Sequence, residues 1–289
     1  MTTLLDRDLE ARLAAPLRRY SAYLFDLDGT IYLGDELLPG AADLLAGIRS
    51  TGARIVFLSN NPTRDPEMYL AKLRGLGVEV ELGDIVNTVV STVAWLRTNH
   101  PDATVFPIAE APLVRALEAA GIRISDDPAE IDIVIASYDR EFDYRKLQIA
   151  FDAIWHHRRA FLITTNPDRY CPYPGGRGEP DAAAVTAAIE AATGVTCRVN
   201  AGKPDRVMID TLGVDLADAI MVGDRLATDI RMAVNAGIDS ALVLTGDSGV
   251  DDVRETPPEY RPTYILDRID RLLPAAGDRS GPDPIAQRT

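Results

Sequence analysis

The chain has 289 residues, 46% of them hydrophobic, which is enough for a sizeable core and suggests two domains. Its 44 acidic and 30 basic residues give a formal net charge of −14, which argues against nucleic acid and anionic membranes as partners. The two cysteines are too few for a disulfide framework, so we expect a cytoplasmic protein. We also expect no signal peptide and no membrane span, because no apolar run is long enough for either.

An apolar run near the N-terminus, Tyr23–Thr30, ends in two carboxylates and a glycine. The run predicts a buried parallel strand, and open α/β sheets bind their ligands at the carboxyl ends of such strands. Asp26 and Asp28 are two positions apart, so their side chains point to one face of an extended chain. Two such carboxylates repel unless a cation or a proton lies between them. The alternative is an ordinary Asp-Gly turn in which one aspartate caps the next helix.

Strand-like and helix-like patterns alternate along the rest of the chain. The predicted strands are 54–58, 104–108, 131–136, 161–165, 219–222 and 240–244. The predicted helices are 41–50, 66–75, 112–120, 144–157 and 181–193. The alternation predicts an α/β fold with a parallel sheet and helices on both of its faces. The predicted parts are a leader (1–19), a core (20–88 and 196–275), an inserted α/β unit (89–195) and a loose tail (276–289).

Three later segments carry groups suited to a phosphate and a metal ion. Ser59 and Asn60 follow a predicted strand, where a hydroxyl and backbone amides ahead of a helix can bind phosphate. Lys203 lies between a glycine and a proline, so a rigid loop presents its charge. Asp224 again ends an apolar strand and Asp229 follows it, and such oxygen ligands suit Mg²⁺. Taken singly, the segment with Ser59 could be a turn with a helix cap, and Lys203 could be an ordinary surface lysine. Helix capping could account for one of Asp224 and Asp229 but poorly for both.

In this order, the motifs D-x-D-G-T, S-N-N, G-K-P and G-D-x-x-x-T-D resemble the haloacid dehalogenase superfamily. The resemblance implies a Rossmann-like, doubly wound parallel-sheet core and a phosphatase that forms an aspartyl-phosphate. It implies that Asp26 is the nucleophile and that Asp28 is the general acid and base. The charge of Asp26 favours the protonated form of Asp28, which agrees with that role. Superfamily members that break carbon–halogen bonds generally lack the second aspartate, so phosphate chemistry is favoured.

The same resemblance implies a Mg²⁺ cofactor. The ion would be held by the Asp26 side chain, the Asp28 backbone carbonyl and Asp224, with Asp229 just outside the ligands. The residues expected to bind the transferring phosphoryl group are Ser59, Asn60 through its backbone amide, and Lys203. Mg²⁺ and a lysine would neutralise the charge of the phosphate, which is most of what phosphoryl transfer asks of a protein.

The position of the inserted unit in the chain indicates which subfamily the sequence resembles. Too few residues separate Asp26 from Ser59 to hold a domain, whereas the stretch between Ser59 and Lys203 is long enough. This arrangement resembles the C2 cap of subfamily IIA, the NagD and p-nitrophenylphosphatase-like phosphatases, and the stretches Tyr138–Leu147 and Thr164–Asp168 reinforce the likeness. The cap residues expected at the substrate entrance are Asn166, Asp168, Arg169 and Arg177.

The subfamily implies a small phosphorylated metabolite as substrate, of the sugar phosphate, glycerol phosphate, phosphoglycolate or pyridoxal phosphate type. It also implies a homodimer formed through the cap. The segment Gly175–Asp181 departs from the usual glycine-rich pattern, since Asp181 stands where a small residue is common, although it can still cap the next helix. Two alternatives are left open, namely a phosphotransferase or phosphomutase of the same superfamily and a non-catalytic sugar-phosphate sensor.

Overall fold

The computed structural model of the chain describes residues 4–173 and 176–273. Its strands are β1 (Ala22–Asp26), β2 (Tyr32–Leu33), β3 (Glu36–Leu37), β4 (Arg54–Ser59), β5 (Ile85–Asn87), β6 (Thr104–Ile108), β7 (Arg123–Ile124), β8 (Ile133–Ala136), β9 (Phe161–Thr164), β10 (Tyr170–Tyr173), β11 (Arg177–Pro180), β12 (Val199–Asn200), β13 (Ala219–Gly223), β14 (Asp239–Val243) and β15 (Tyr264–Leu266). Its α-helices are α1 (Leu4–Arg12), α2 (Ala41–Arg49), α3 (Pro66–Gly75), α4 (Thr88–Asn99), α5 (Ala111–Ala119), α6 (Tyr144–Phe151), α7 (Ala182–Thr193), α8 (Arg206–Asp210), α9 (Arg231–Ala236) and α10 (Val250–Glu255). Within these described ranges, no helix combines the length and the apolar character needed to cross a membrane.

The chain forms two compact units that alternate in sequence. The first contains the described residues up to Phe57, Arg74–Glu79 and those from Val214 onward. The second contains Leu58–Leu73 and Val80–Gly213. The predicted leader contains helix α1, while the predicted tail, 276–289, lies outside the described residues.

The first unit is built on parallel strands in the order β15-β14-β13-β1, and β4 follows β1 in the same sheet. Strand β13 is buried along its whole length, the pattern of a parallel strand covered on both faces. Helix α1 adds Leu9, which is 4% exposed, to an apolar cluster that includes Ile230 and Leu242. The parallel sheet with packed helices confirms the predicted α/β fold.

The second unit contains a parallel sheet of five strands in the order β12-β9-β8-β6-β7. Successive residues of a strand point to opposite faces, so Val105 and Phe106 enter different apolar clusters. The cluster with Phe106 also contains residues of α6 and α7, and the cluster with Val105 contains residues of α4 and α5. The second unit therefore has an apolar core on each face of its sheet.

One predicted helix ends differently from the expectation. The pattern predicts a helix over 144–157, but α6 ends at Phe151 and the chain continues as a π-helix over Asp152–His156. The backbone N–H of His157 donates to the Asp152 carbonyl at 2.8 Å, a bond five residues back instead of four. Arg158 then has a φ of 52°, in the left-handed region, which stops the helix.

Candidate active site

Carboxylates from the first unit lie together where β1 and β13 end. The two strands are parallel neighbours, with Phe25 paired in register with Val222. Asp26 ends β1, and Asp224 is the first residue after β13. One carboxylate oxygen from each of Asp26, Asp224 and Asp229 lies within 4.8 Å of the other two. The structure thus brings together three of the residues predicted for the metal site.

The Asp224 carboxyl is buried close to two other carboxylates, which disfavours its ionised form. It is 4% exposed, and burial together with the charges of Asp26 and Asp229 raises the pKa of Asp224 to about 8. Its Oδ2 accepts a hydrogen bond from the Asp247 backbone N–H at 2.8 Å, but its buried Oδ1 has no hydrogen-bond partner among the described residues. Burying such an oxygen costs free energy unless something compensates it. Three clustered carboxylates with an unsatisfied oxygen fit the hard, oxygen-binding cation that the sequence predicts.

Glycines allow two loops to approach Asp224 closely. Gly29 has a φ of +82°, and a Cβ there would lie 2.6 Å from Asp224 Oδ2. Gly246 has the same role after β14, because a Cβ on it would overlap the Asp224 carboxylate. Thr245 Oγ1 donates to the Gly29 carbonyl at 2.6 Å and joins the two loops. Residues Thr245 to Asp247 were not predicted as part of the site, because a backbone N–H leaves no signal in the residue type.

Asp28 lies just beyond this cluster in the chain. Its side chain is exposed, and its backbone forms an isolated bridge with Tyr32. The Gly29 N–H donates to the Tyr32 carbonyl at 2.8 Å, which closes a tight turn before the small β2–β3 hairpin. Asp28 is therefore held by backbone contacts in a turn.

Ser59 is the last residue of β4. The end of this strand, Leu58 and Ser59, belongs to the second unit. Ser59 is 8% exposed. Its Oγ accepts a hydrogen bond from the Asn61 N–H at 3.2 Å and lies 2.8 Å from the hydroxyl of Tyr69 in α3. Tyr69, which was not singled out from the sequence, is thus a direct partner of a predicted phosphate-binding residue.

The side chain of Asn60 pairs with the backbone of Lys203. Its Oδ1 accepts from the Lys203 N–H at 2.8 Å, and its Nδ2 donates to the Lys203 carbonyl at 3.1 Å. A Cβ on Gly202 would lie 2.7 Å from Asn60 Oδ1, so this approach requires the glycine. Lys203 is only 2% exposed. Two of the predicted phosphate-binding residues are therefore fixed to each other.

The cap residues Asn166 and Asp168 belong to the same network. Asp168 Oδ2 accepts from Asn60 Nδ2 at 2.9 Å and from Asn166 Nδ2 at 3.0 Å. Asn166 is fully buried, and its Nδ2 also donates to Asp181 Oδ1 at 3.0 Å. Asp181 accepts from the Ala182 N–H at the start of α7, as its predicted capping role requires. The aspartate that departs from the subfamily pattern thus orients Asn166 as well as capping a helix.

Arg169 and Arg177 have a different setting from Asn166. Both are exposed, and Arg177 begins strand β11 of the antiparallel β10–β11 hairpin. Arg140 contacts both strands of this hairpin. Its Nε donates to Glu179 at 2.6 Å, and its guanidinium also donates to the Tyr173 hydroxyl at 2.9 Å. Arg140 also donates to Glu110 at 2.5 Å. The predicted substrate-entrance arginines therefore lie at the base and in the strand of an anchored hairpin.

Comparisons with known proteins agree with this fold. A family model described as haloacid dehalogenase-like hydrolase matches residues 23–123, and a second, described as HAD-hydrolase-like, matches residues 200–272. An acid sugar phosphatase of Staphylococcus epidermidis is 34% identical over 250 residues, which cover 84% of this chain and 95% of that protein. The chain belongs to the haloacid dehalogenase superfamily, in the NagD and p-nitrophenylphosphatase-like subfamily IIA, and is a phosphoric monoester hydrolase.

Solved structures support the same assignment. A 4-nitrophenylphosphatase from Thermotoga maritima is 33% identical with a TM-score of 0.81, covering 88% of this chain and 96% of that chain. A glycerol phosphate phosphatase from Mycobacterium tuberculosis, in complex with calcium, is 31% identical with a TM-score of 0.79, covering 88% of this chain and 74% of that chain. The expected core fold with an inserted cap is confirmed by these likenesses.

Proposed function

We propose that the protein is a Mg²⁺-dependent phosphatase that hydrolyses small phosphate monoesters through an aspartyl-phosphate on Asp26. The observation that carries this proposal is the carboxylate cluster of Asp26, Asp224 and Asp229, in which the buried Oδ1 of Asp224 has no hydrogen-bond partner among the residues described. Such a cluster is costly unless a cation compensates it. The ion would be held by the Asp26 side chain, the Asp28 carbonyl and Asp224, with Asp229 next to them.

The proposed reaction has two steps. The Asp26 carboxylate attacks phosphorus, and the bond to the ester oxygen breaks while Asp28 donates a proton to the leaving alcohol. Asp28 then removes a proton from water, which attacks phosphorus, releases inorganic phosphate and restores the Asp26 carboxylate. Bound Mg²⁺ supplies the positive charge that lets an anionic carboxylate approach an anionic ester.

The proposed phosphoryl-binding residues are Ser59, the backbone amide of Asn60, and Lys203. The burial of Lys203 supports its role, because a buried ammonium is retained where an anion or polar partner compensates it. The bonds from Asn60 to Lys203 support a shared task, since they fix the loop that carries the lysine. A fixed hydroxyl, amide and ammonium are suited to a transferring phosphoryl group.

We propose a small substrate because the similar proteins are named for small substrates. They include an acid sugar phosphatase, a 4-nitrophenylphosphatase and a glycerol phosphate phosphatase. Asn166 and Asp168 would hold the cap loop in place, and the exposed Arg169 and Arg177 would contact an anionic or polar part of the substrate. A cytoplasmic location and a homodimer formed through the cap complete the proposal.

A substrate panel with purified protein tests the function. Phosphate release from p-nitrophenyl phosphate, sugar phosphates and glycerol phosphate is measured with MgCl₂ and with excess EDTA. We expect release with Mg²⁺, little release with EDTA, and none from the Asp26→Asn variant. Transfer to added sugars in place of release into water would identify a phosphotransferase instead. Equal phosphate release from wild type and Asp26→Asn would rule out the proposed chemistry.

A further inference from the structure

The hydroxyl of Ser59 has two fixed neighbours within the second unit. The Asn61 N–H donates to Ser59 Oγ at 3.2 Å, and the Tyr69 hydroxyl lies 2.8 Å from the same oxygen. Tyr69 is 1% exposed and projects from helix α3, so its position is set by packing. A serine hydroxyl can donate one proton and accept at two lone pairs, and no more.

Because the hydroxyl of Ser59 has one proton and two lone pairs, only one direction of the Ser59–Tyr69 hydrogen bond is compatible with a bound phosphoryl group. Asn61 already occupies one lone pair of Ser59 Oγ. If Ser59 donated to Tyr69, its only proton would point away, and its remaining lone pair would face the phosphoryl oxygens. Those oxygens are acceptors, so that arrangement is repulsive. If Tyr69 donates, both lone pairs are occupied and the Ser59 proton remains for the phosphoryl group.

We propose that Tyr69 is a positioning residue, which donates its hydroxyl proton to Ser59 and so directs the Ser59 proton at the transferring phosphoryl group. The inference rests on the proposed role of Ser59 in phosphate binding. Tyr69 acts only through Ser59 and does not touch the substrate. An oriented donor at the phosphoryl group is worth more than a freely rotating hydroxyl, because it needs no reorganisation during the reaction.

The Tyr69→Phe variant keeps the ring and removes only the hydroxyl. We expect its kcat/KM for p-nitrophenyl phosphate to fall by about fivefold to tenfold, the usual effect of one hydrogen bond. The inhibition constant of inorganic phosphate should rise by a similar factor. Tyr23→Phe is the matched control, because the buried Tyr23 hydroxyl also has a hydrogen-bond partner, the Tyr20 N–H at 3.0 Å. Its melting temperature should fall comparably while kcat/KM stays at the wild-type value.

A double-mutant cycle with Ser59→Ala separates positioning from a general structural role. In the Ser59→Ala background, we expect Tyr69→Phe to cause no further loss of kcat/KM. The same fold-loss in both backgrounds, or no loss from Tyr69→Phe alone, would overturn the inference while leaving the proposed function intact. An inactive wild-type protein would instead overturn the proposed function, and the role of Tyr69 with it.

Discussion

Phe25 and Val222 are partners on neighbouring parallel strands, and this register brings Asp26 and Asp224 to the same edge of the sheet. The consequence is electrostatic. Without a cation, these two carboxylates and that of Asp229 repel one another, and burial together with this repulsion raises the pKa of Asp224. Folding therefore imposes a cost on this edge that metal binding can recover.

The stability of the metal-free protein should fall as pH rises towards the pKa of Asp224. That pKa is about 8 in the folded state, above the ordinary aspartate value of 3.8, so the folded state binds more protons than the unfolded state between these pH values. The stability that protonated Asp224 contributes is fully present below the pKa of the unfolded state, and it is lost as pH rises through the pKa of the folded state. In EDTA, the melting temperature should drop between about pH 4 and pH 8, and Mg²⁺ should restore more of it at the higher pH. The Asp224→Asn variant should lose this part of the pH dependence, and an unchanged slope would contradict the assignment.

Replacing Gly29 should weaken cation binding more than replacing a glycine of similar conformation. Gly29 and Gly34 both have positive φ, but a Cβ on Gly29 would lie 2.6 Å from Asp224 Oδ2 and one on Gly34 would meet nothing within 4 Å. Each alanine should cost about 1 kcal/mol of stability for its backbone conformation. Gly29→Ala alone should also weaken Mg²⁺ binding by about tenfold or more, because it displaces a ligand. Calorimetric titration of both variants compares them, and equal affinities would argue against a site at Asp224.

Asp28→Asn should lower turnover while leaving phosphate binding largely intact. The amide retains the backbone contacts of the turn but can neither donate a carboxyl proton nor accept one from water. The expected loss in kcat is about 10²-fold to 10⁴-fold. Binding of vanadate or inorganic phosphate is measured on the same variant. A loss of affinity as large as the loss of turnover would mean that Asp28 has another role.

Arg140→Ala should loosen the β10–β11 hairpin, and Arg145→Ala should not. Arg140 bonds to Glu179 and Tyr173 on the hairpin, whereas Arg145 pairs with Asp126 at a site where both side chains are highly exposed. Amide hydrogen exchange over 170–180 reports on this difference. In Arg140→Ala the free energy of local opening should fall by about 1 kcal/mol, with relative activities towards the substrate panel altered. Identical exchange in the two variants would show that Arg140 does not anchor the hairpin.

Much of the fold was predictable because its elements carry their own signals. Strand β6 matches the predicted 104–108, and α3 matches the predicted 66–75, since each has an apolar pattern with clear ends. The β10–β11 hairpin was not predicted, because its residues are mostly exposed and show no apolar alternation. It is held by Arg140, which is distant in sequence, and pattern reasoning cannot detect such a contact.

The residues of the candidate site likewise fall into those that the sequence predicts and those that it does not. Asp26 and Asp224 were predicted because a carboxylate at the end of a buried strand is a signal in the sequence itself. Tyr69 and Asp247 were not, because one contributes a hydroxyl and the other a backbone N–H whose positions depend on tertiary packing. The helix-capping role of Asp181 was predicted, but its hydrogen bond to Asn166 was not, because that contact depends on tertiary packing.

Calorimetric titration of Mg²⁺ into the metal-free protein tests the central claim, a shared cation site at Asp26 and Asp224, most directly. Wild type, Asp224→Asn and Asp251→Asn are compared, the last being a control at a side chain that is 89% exposed. We expect one site in wild type and in Asp251→Asn, and an affinity lower by about 10²-fold or more in Asp224→Asn. Binding of Mg²⁺ by Asp224→Asn with wild-type affinity would contradict the account.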